Sequence, residues 1–448
     1  MSTRSLFWFR RDLRLSDNPA LLNALAAGDE TLLLFIMDED VAERSGPYRR
    51  VYLAESLASL NKSVDGKLAV IWGRVDQVLQ DVIKRYEINS LHAAKEYAPY
   101  GVAAQESVSA ASIEIDYTGS IYAVAPGRVR KLDGTNYRVY TPFFKAWQAH
   151  GWRPPVLAPK NPRFISPDAR DQNLPRWVKP EGSLIQEAGE SAALARWAAY
   201  KSGEITSYDS QRNFPGIEGT SRLSPHLRWG EIHPRTILAD LKPGNAEDIF
   251  RKEIAWREFY ADVLHHYPDS SRGYYNANFA KMRYDQPGDK FTAWSEGRTG
   301  YPIVDAAMRQ LRAEGWMHNR TRMIVASFLV KDLHIEWRLG ADYFMKYLID
   351  NDVASNSHGW QWTAGCGTDA SPYYRVFNPI EQGRRFDPEG TYIKRFVPEL
   401  SHLSAPDIHT PWEALDGLAH GYPLPIVDHA IERLESLARL DEIKVAKE

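Results

Sequence analysis

The chain has 448 residues, enough for roughly two or three domains with cores of their own. With 44% apolar residues, 25% charged residues and a formal net charge of -3, its composition is that of a soluble globular protein. No apolar run reaches membrane-spanning length and no N-terminal signal pattern is present, so we expect a cytoplasmic protein without a membrane partner. The single cysteine, Cys366, excludes an intrachain disulfide and a multi-cysteine metal site, and we expect no metal.

Strand-like and helix-like segments alternate over residues 1–125. Because parallel strands need helical crossovers, this alternation predicts an α/β domain with a five-stranded parallel, doubly wound sheet. The predicted strands are 5–9, 31–37, 67–72, 90–94 and 113–117. No Gly-x-Gly-x-x-Gly fingerprint follows the first strand; Arg10, Arg11 and Arg14 stand there instead. They fit either a solvated turn or a contact with another domain or a cofactor.

Prolines interrupt almost every segment between 126 and 190, which predicts a long interdomain connector with one helix near 142–149. From 191 to 448 the pattern is helical, and we expect an all-α domain. In its first motif, residues 218–227, Ser224 and Pro225 are an N-cap and first-turn pair. Thr220, Ser221 and Arg222 before that helix suit a phosphate, although a plain helix cap explains Ser224 equally well.

Two predicted helices carry polar and aromatic groups on one face. Between about 246 and 266, Glu253, Trp256, Arg257 and Tyr260 share a face at helical spacing. This face either stacks on a nucleic-acid base or packs an aromatic stripe against a neighbouring helix. In a helix beginning near His318, Asn319, Arg322 and Met323 share a face, with Arg320 offset and Arg322 able to reach Asp350.

The stretch 348–383 combines carboxylates, amides and large aromatics. Buried carboxylates need partners, so the cluster indicates a polar network around a planar, redox-active ligand. The alternative is a turn-rich connector whose tryptophans fill space. The residues concerned are Asp350, Asp352, Asn356, Trp360, Trp362, Tyr373, Tyr374 and Arg375.

Six segments, in order along nearly the whole chain, resemble the photolyase/cryptochrome family and most closely its bacterial class I cyclobutane pyrimidine dimer photolyases. They are residues 7–15, 219–224, 256–259, 299–310, 316–320 and 350–379. The resemblance implies an α/β antenna domain, a connector and an all-α domain that binds FAD. It also implies light-driven DNA repair, in which reduced FAD (FADH−) transfers an electron to a flipped-out pyrimidine dimer and splits it.

The resemblance also implies roles for individual residues. Those expected to bind FAD are Tyr208, Thr220, Ser221, Arg222, Leu223, Ser224, Arg257, Arg322, Asp350, Asp352 and Asn356, the last facing flavin N5. Those expected to bind the lesion are Glu253, Trp256, Asn319, Arg320, Met323 and Trp362, and the catalytic set is Glu253, Asn319, Met323 and Asn356. Arginines at the pocket mouth would hold DNA phosphates: Arg320, Arg375, Arg384 and Arg385.

Family members usually carry three tryptophans for flavin photoreduction. Trp360 and Trp337 match the first two, but Tyr284 stands in the third position, so the last hop is slower or diverts to Trp294. Asn319 and Met323 replace the histidines of six-four photolyases, and no long signalling tail follows, which favours dimer repair. The alternative is a cryptochrome-type blue-light photoreceptor with a protein partner.

The loop 95–101 resembles an antenna-binding region without its usual basic residues. A folate, a deazaflavin, a flavin or an empty pocket all fit this loop. We expect the protein to be a monomer.

Overall fold

The computed structural model describes residues 2–183, 185–368 and 374–445. Tyr373, at the end of the polar and aromatic stretch, lies outside these ranges. Within them, no helix combines the length and apolar character needed to cross a bilayer.

A five-stranded parallel sheet forms the N-terminal part of the molecule, with strand order β3-β2-β1-β4-β5. The strands are β1 (Arg4–Phe9), β2 (Glu30–Met37), β3 (Leu68–Trp72), β4 (Ser90–Ala93) and β5 (Asp116–Tyr117). Apolar side chains on both faces of β1 and β2 are buried beneath helices, as in other doubly wound sheets. The predicted α/β fold is confirmed, although β5 is shorter than the expected 113–117.

Helices cover the sheet and build the rest of the chain. Those of the first half are α1 (Pro19–Ala27), α2 (Glu39–Arg44), α3 (Pro47–Ser63), α4 (Val75–Arg85), α5 (Pro99–Ala110), α6 (Tyr140–His150), α7 (Glu190–Ser202), α8 (Tyr208–Gln211) and α9 (Ser224–Trp229). Those of the second half are α10 (Pro234–Asp240), α11 (Asn245–His266), α12 (Gly288–Glu296), α13 (Pro302–Glu314), α14 (Asn319–Ser327), α15 (Trp337–Tyr347), α16 (Val353–Ala364), α17 (Pro379–Phe386), α18 (Thr391–Phe396) and α19 (His429–Val445).

The proline-rich segment runs along the sheet and then joins the helices. Phe164 and Gln172 form isolated parallel bridges with Thr31 of β2 and Val70 of β3. Helix α6 lies elsewhere, because Phe143 and Trp147 pack into one apolar cluster with residues of α7 and α11. The expected connector helix is therefore present and belongs to the helical core.

The largest apolar cluster lies among α12 to α16, α18 and α19. A single π turn, Phe328–Asp332, extends α14 inside this cluster. Such turns commonly mark functional positions, because the extra residue displaces the side chains around it. Helices α14 and α16 pack against each other, so the residues that follow His318 and those that follow Asp352 lie side by side.

Candidate functional site

One cavity of about 550 Å³ collects most of the predicted site residues. Its walls come from α8, α9, α11, α14 and α16 and the segment before α16, elements far apart in sequence. The predicted residues that line it are Tyr208, Ser221, Leu223, Ser224, Glu253, Trp256, Arg257, Asn319, Arg320, Arg322, Met323, Asp350, Asp352, Asn356, Trp360 and Trp362. Arg320 lines it too, despite its offset from the α14 face.

At the start of α9, the side chains of Arg222 and Ser224 do not make the contacts expected from the sequence. Arg222 has a left-handed backbone (φ 52°), and its guanidinium pairs with Glu218 and Glu314, each at 3.1 Å. The Ser224 hydroxyl accepts from the indole of Trp316 at 3.1 Å, and α9 has no side-chain cap. The predicted Ser224 cap is therefore wrong, and the Arg222 guanidinium is already committed to carboxylates. Backbone groups and the Ser221 hydroxyl remain for a phosphate.

Glu253 and Trp256 of α11 line the cavity, and each is held in place by a neighbouring side chain. The Glu253 carboxylate pairs with Arg212 at 2.7 Å. Burial raises the pKa of Glu253, and Arg212 opposes this shift. Trp256 stacks on Tyr140 of α6 with ring centroids 3.7 Å apart and planes 8° apart. The cavity thus presents a carboxylate next to a large aromatic held in one orientation.

The predicted pairing of Arg322 with Asp350 is confirmed, at 2.6 Å. Asp350 is buried, and its Oδ1 has no hydrogen-bond partner among the described residues. Neighbouring Asn351 is also buried, and neither its side-chain nitrogen nor its side-chain oxygen has a hydrogen-bond partner among the described residues. Since unpaired buried polar atoms cost about 1–3 kcal/mol each, this wall is suited to a polar ligand.

Asp352 connects the cavity to the N-terminal sheet. It accepts from Arg11, which follows β1, at 2.9 Å, and from the Ser355 amide at 3.2 Å as the N-cap of α16. Burial alone would raise the pKa of Asp352, but Arg11 and Arg228 hold it below its usual value. Arg11 also pairs with buried Glu96. The sequence left two interpretations open for the arginines after β1, a solvated turn or a contact with another part of the protein. Arg11 makes such a contact, between the α/β part and the helical part.

Helix α16 carries Asn356 and Trp360 into the cavity. The Asn356 amide nitrogen donates to the Ala341 carbonyl at 3.0 Å, so its oxygen is left for other partners. Trp360 packs against Gly340 of α15, where a Cβ would lie 2.2 Å from the indole ring. Gly340 is required for this close approach.

The expected electron-transfer residues lie behind Trp360. Trp294 is in edge contact with Trp360, with centroids 6.2 Å apart. Trp337 begins α15, the helix whose Gly340 touches Trp360. Tyr284 is half-buried and packs against the apolar cluster that contains Trp294, Trp337 and Trp360.

Besides Asn351, two arginines that line the cavity were missed by the sequence analysis. Arg212 lies in a loop after a short helix, and nothing in its local pattern signals a partner on α11. Arg228 follows Ser224 by one helical turn, a spacing that could have drawn attention to it. Burial and nearby Arg11 and Arg49 lower the pKa of Arg228 to about 9, and its Nη1 is unpartnered among the described residues.

Comparisons with known proteins agree with this geometry. Residues 5–162 match the DNA photolyase family model, and residues 250–442 match the FAD binding domain of DNA photolyase. The deoxyribodipyrimidine photo-lyase of Alkalihalophilus pseudofirmus is 37% identical, over 96% of both chains. The chain belongs to the DNA photolyase family. The Escherichia coli photo-lyase is 36% identical over 99% of this chain and all (100%) of its own.

Three solved structures have the same fold. A bacterial class III photolyase from Agrobacterium tumefaciens has a TM-score of 0.92 and 37% identity, covering 99% of this chain and 98% of its own. A Synechocystis cryptochrome has a TM-score of 0.89 at 28% identity, covering 98% and 99%. An archaeal photolyase from Sulfolobus tokodaii, solved with two FAD molecules, has a TM-score of 0.83 at 27% identity, covering 98% and 100%.

The cavity suits the FAD that this family binds. Asp350 and Asn351 offer buried, unpartnered acceptor and donor atoms, and Arg228 offers a further donor. The Asn356 oxygen and the Ser221 hydroxyl add polar groups on two other walls. Aromatic and aliphatic side chains between these groups suit the planar rings of the cofactor.

Proposed function

We propose that this protein is a light-driven DNA repair lyase that splits cyclobutane pyrimidine dimers. The observation that carries the proposal is that a single cavity combines a polar wall suited to a flavin with an aromatic wall suited to a base. Asp350, Asp352 and Asn356 line its flavin-type wall, and Glu253 and Trp256 line a base-stacking wall. When bound, reduced FAD supplies the photoexcited electron that opens the cyclobutane ring and takes it back afterwards.

Residues of α8, α9, α11, α14 and α16, and of the segments before α9 and α16, would hold the cofactor. Ser221, Leu223 and Ser224, with the adjacent backbone of Thr220 and Arg222, would contact its phosphates. Tyr208, Arg257, Arg322, Asp350 and Asp352 would surround the remaining groups, and the Asn356 oxygen would be available to accept a hydrogen bond from N5 of the reduced flavin. The Arg322–Asp350 pair at 2.6 Å supports this arrangement, because it fixes both side chains before the cofactor arrives.

The lesion enters beside the flavin. A pyrimidine dimer stacks poorly in duplex DNA, so extruding it costs less than extruding a normal pair. Trp256 and Trp362 stack against it, and Glu253 and Asn319 hydrogen-bond its polar edges. Met323 and Arg320 complete the contact. The exposed arginines Arg375, Arg384 and Arg385 hold the flanking phosphates, so affinity falls with salt.

Photoreduction of the flavin runs through Trp360 and Trp337, with Tyr284 or Trp294 expected beyond them. The 6.2 Å contact between Trp294 and Trp360 supports a branch of the electron-transfer chain through Trp294. Repair itself does not need this chain when the flavin is already reduced.

A second candidate function is blue-light reception with a protein partner. The similarity to the Synechocystis cryptochrome favours it, at 28% identity. The repair assay below separates the two, because a receptor binds flavin and leaves the dimer intact. A second chromophore, whether folate, deazaflavin or flavin, would bind near the loop 95–101. The Sulfolobus tokodaii photolyase, solved with two FAD molecules, supports a second chromophore as such.

We further propose a cytoplasmic monomer with domains at 1–125 and 191–448 joined by 126–190. The bridges of Phe164 and Gln172 to the sheet support a connector that follows the N-terminal domain. Sedimentation of the FAD-loaded protein tests the monomer directly.

The deciding experiment is anaerobic. Protein with reduced flavin and an oligonucleotide bearing one thymine dimer are exposed to blue light, with a dark control. We expect light-dependent recovery of thymine absorbance, lost in Glu253→Ala and Trp256→Ala and kept in Trp72→Phe, a tryptophan of β3 outside the cavity. Bound flavin with an unrepaired dimer would refute the proposal.

A further inference from the structure

Tyr274 is an aromatic neighbour of Trp337, and neither residue lines the cavity. The two rings meet edge to face, with centroids 6.2 Å apart and planes 77° apart. Tyr274 is half-buried in the loop between α11 and α12, and its sequence context gives no hint of this contact. Tyr284 was expected from its position to be the last residue of the electron-transfer chain. Its hydroxyl contacts the hydroxyl of Tyr274. Burial raises the pKa of Tyr284, and the contact with Tyr274 raises it further.

The hydrogen-bond acceptor of the Tyr274 hydroxyl is a carboxylate. The hydroxyl donates to Glu336 Oε1 at 2.6 Å. Arg338 also contacts that carboxylate, through Nε at 2.8 Å, and so fixes its position. Burial and Glu336 together raise the pKa of Tyr274, so the phenol keeps its proton until it is oxidised.

A second aromatic series leads from Trp360 in another direction. Trp294 contacts Tyr343 with centroids 5.6 Å apart, and Tyr343 contacts Tyr347 at 4.5 Å. The Tyr343 hydroxyl donates to the Ser295 backbone carbonyl at 2.8 Å, which is not a base. Trp294 likewise donates to a carbonyl, that of Val325, at 3.0 Å. Among the described residues, no hydrogen bond joins this series to a carboxylate that could take the proton of an oxidised tyrosine.

The indole nitrogens of Trp360 and Trp337 are buried without hydrogen-bond partners among the described residues. Neither oxidised indole can pass its proton to a neighbour, so the positive charge stays mobile. Tyrosine is oxidised readily only when its proton leaves at the same time. We therefore expect the oxidation to stop at a tyrosine whose hydroxyl is hydrogen-bonded to a carboxylate, as that of Tyr274 is to Glu336.

We infer that Tyr274, with Glu336 as proton acceptor, ends the photoreduction chain of this protein. Trp360 gives one electron to the photoexcited oxidised flavin, and Trp337 re-reduces Trp360. Tyr274 then gives an electron to Trp337 and its proton to Glu336, which leaves a neutral tyrosyl radical. The inference rests on the proposed function, since it concerns the same flavin site.

The test follows radicals after a light flash in FAD-loaded, full-length protein, by transient absorption and electron paramagnetic resonance. We expect a tyrosyl radical in the wild type. In Tyr274→Phe and in Glu336→Gln the yield of that radical should fall about tenfold, equivalent to roughly 1.4 kcal/mol between competing barriers, and a tryptophan radical should decay in its place.

Tyr343→Phe is the matched control, another phenol of the same core, and should keep the wild-type signal. Trp294→Phe should also keep it. A tyrosyl radical that persists in Tyr274→Phe would overturn the inference. A radical that disappears in Tyr343→Phe or Trp294→Phe would overturn it in favour of the other series. Loss in Tyr284→Phe with retention in Tyr274→Phe would assign the terminus to Tyr284. Glu336→Gln keeps the phenol, so it tests the proton acceptor even if Tyr274→Phe folds poorly.

Dimer repair by wild-type protein with chemically reduced flavin is measured in parallel. Loss of repair with an intact tyrosyl signal would contradict the proposed function alone, and intact repair without the signal would contradict this inference alone.

Discussion

Individual side chains of the cavity are supported from behind by the protein. Trp256 has Tyr140 at its back, Glu253 has Arg212, and the Arg322–Asp350 pair is closed before any ligand binds. Such support fixes rotamers in advance, so less conformational entropy is lost on binding.

Removal of the Trp256 ring should weaken lesion binding far more than removal of its support. We expect Trp256→Ala to cost about 1–3 kcal/mol in affinity for a dimer-containing oligonucleotide, the usual value of base–aromatic stacking. Tyr140→Leu leaves the indole in place and should cost less. Titration in the dark at fixed salt measures both. Equal losses would mean that Trp256 acts only as part of the α6–α11 packing.

Glu253 should make lesion binding depend on pH. Its folded-state pKa lies above the ordinary value, so protonation begins at milder acidity than for a free glutamate. If the carboxylate accepts from the lesion, affinity is full at neutral pH and declines as pH falls through the raised pKa. Glu253→Gln should be weaker at neutral pH and flat over the same range. A wild-type profile as flat as that of the variant would exclude this role.

At the scale of an element, the π turn Phe328–Asp332 buries two charged side chains in the largest apolar cluster. Lys331 donates to the Arg375 carbonyl and lies over the Tyr374 ring, with Nζ 4.1 Å from its centroid. Burial lowers the pKa of Lys331 to about 7. The adjacent Asp332 binds His429, the first residue of α19, so the turn also anchors the C-terminal helix.

Lys331 should make the folded state more stable as pH rises. Between its folded pKa of about 7 and an unfolded value of about 10.4, the unfolded chain binds more protons, so the free energy of unfolding increases with pH. The slope is at most about 1.4 kcal/mol per pH unit from this group. Lys331→Met should remove that slope and raise stability near neutral pH.

Urea unfolding at about pH 7.5 and about pH 9.5 spans this window. Lys281→Met, at an exposed lysine, is the control and should keep the wild-type slope. A slope unchanged in Lys331→Met would contradict the assignment.

At the scale of the whole molecule, Arg11 joins the sheet to the flavin cavity. It contacts Glu96 of the N-terminal part and Asp352 at the start of α16, and both carboxylates are buried. Arg14 adds a second link by donating to the Gly230 carbonyl at 2.9 Å. The α/β part thus positions the N-cap of the helix that carries Asn356.

Loss of Arg11 should destabilise the protein and loosen its cofactor together. Arg11→Met leaves two buried carboxylates without their partner, a change that costs about 3–5 kcal/mol in comparable cases. Thermal unfolding and FAD release, followed by flavin fluorescence, measure the two effects. Arg74→Met removes an exposed ion pair with Asp76 and should cost at most about 1 kcal/mol. Normal FAD retention in a destabilised Arg11→Met would confine Arg11 to a structural role.

Much of this protein follows from local sequence. Alternating apolar segments determine the strands and helices, because burial on both faces of a parallel strand and on one face of a helix needs different spacings. Spacing also placed Asn319, Arg322 and Met323 on one face and paired Arg322 with Asp350. The FAD and repair chemistry came from motif resemblance, which the relatives support.

What local sequence could not decide is which distant groups meet. Arg11 reaches Asp352 across 341 positions, and Glu253 meets an arginine from a loop with no distinguishing pattern. The same packing gave the Arg222 guanidinium and the Ser224 hydroxyl to protein partners instead of the expected phosphate and helix cap. It also placed Glu336 at the Tyr274 hydroxyl. Such contacts depend on how helices pack, because hydrogen bonds and ion pairs act over a few ångströms of space and carry no trace in the spacing of the chain.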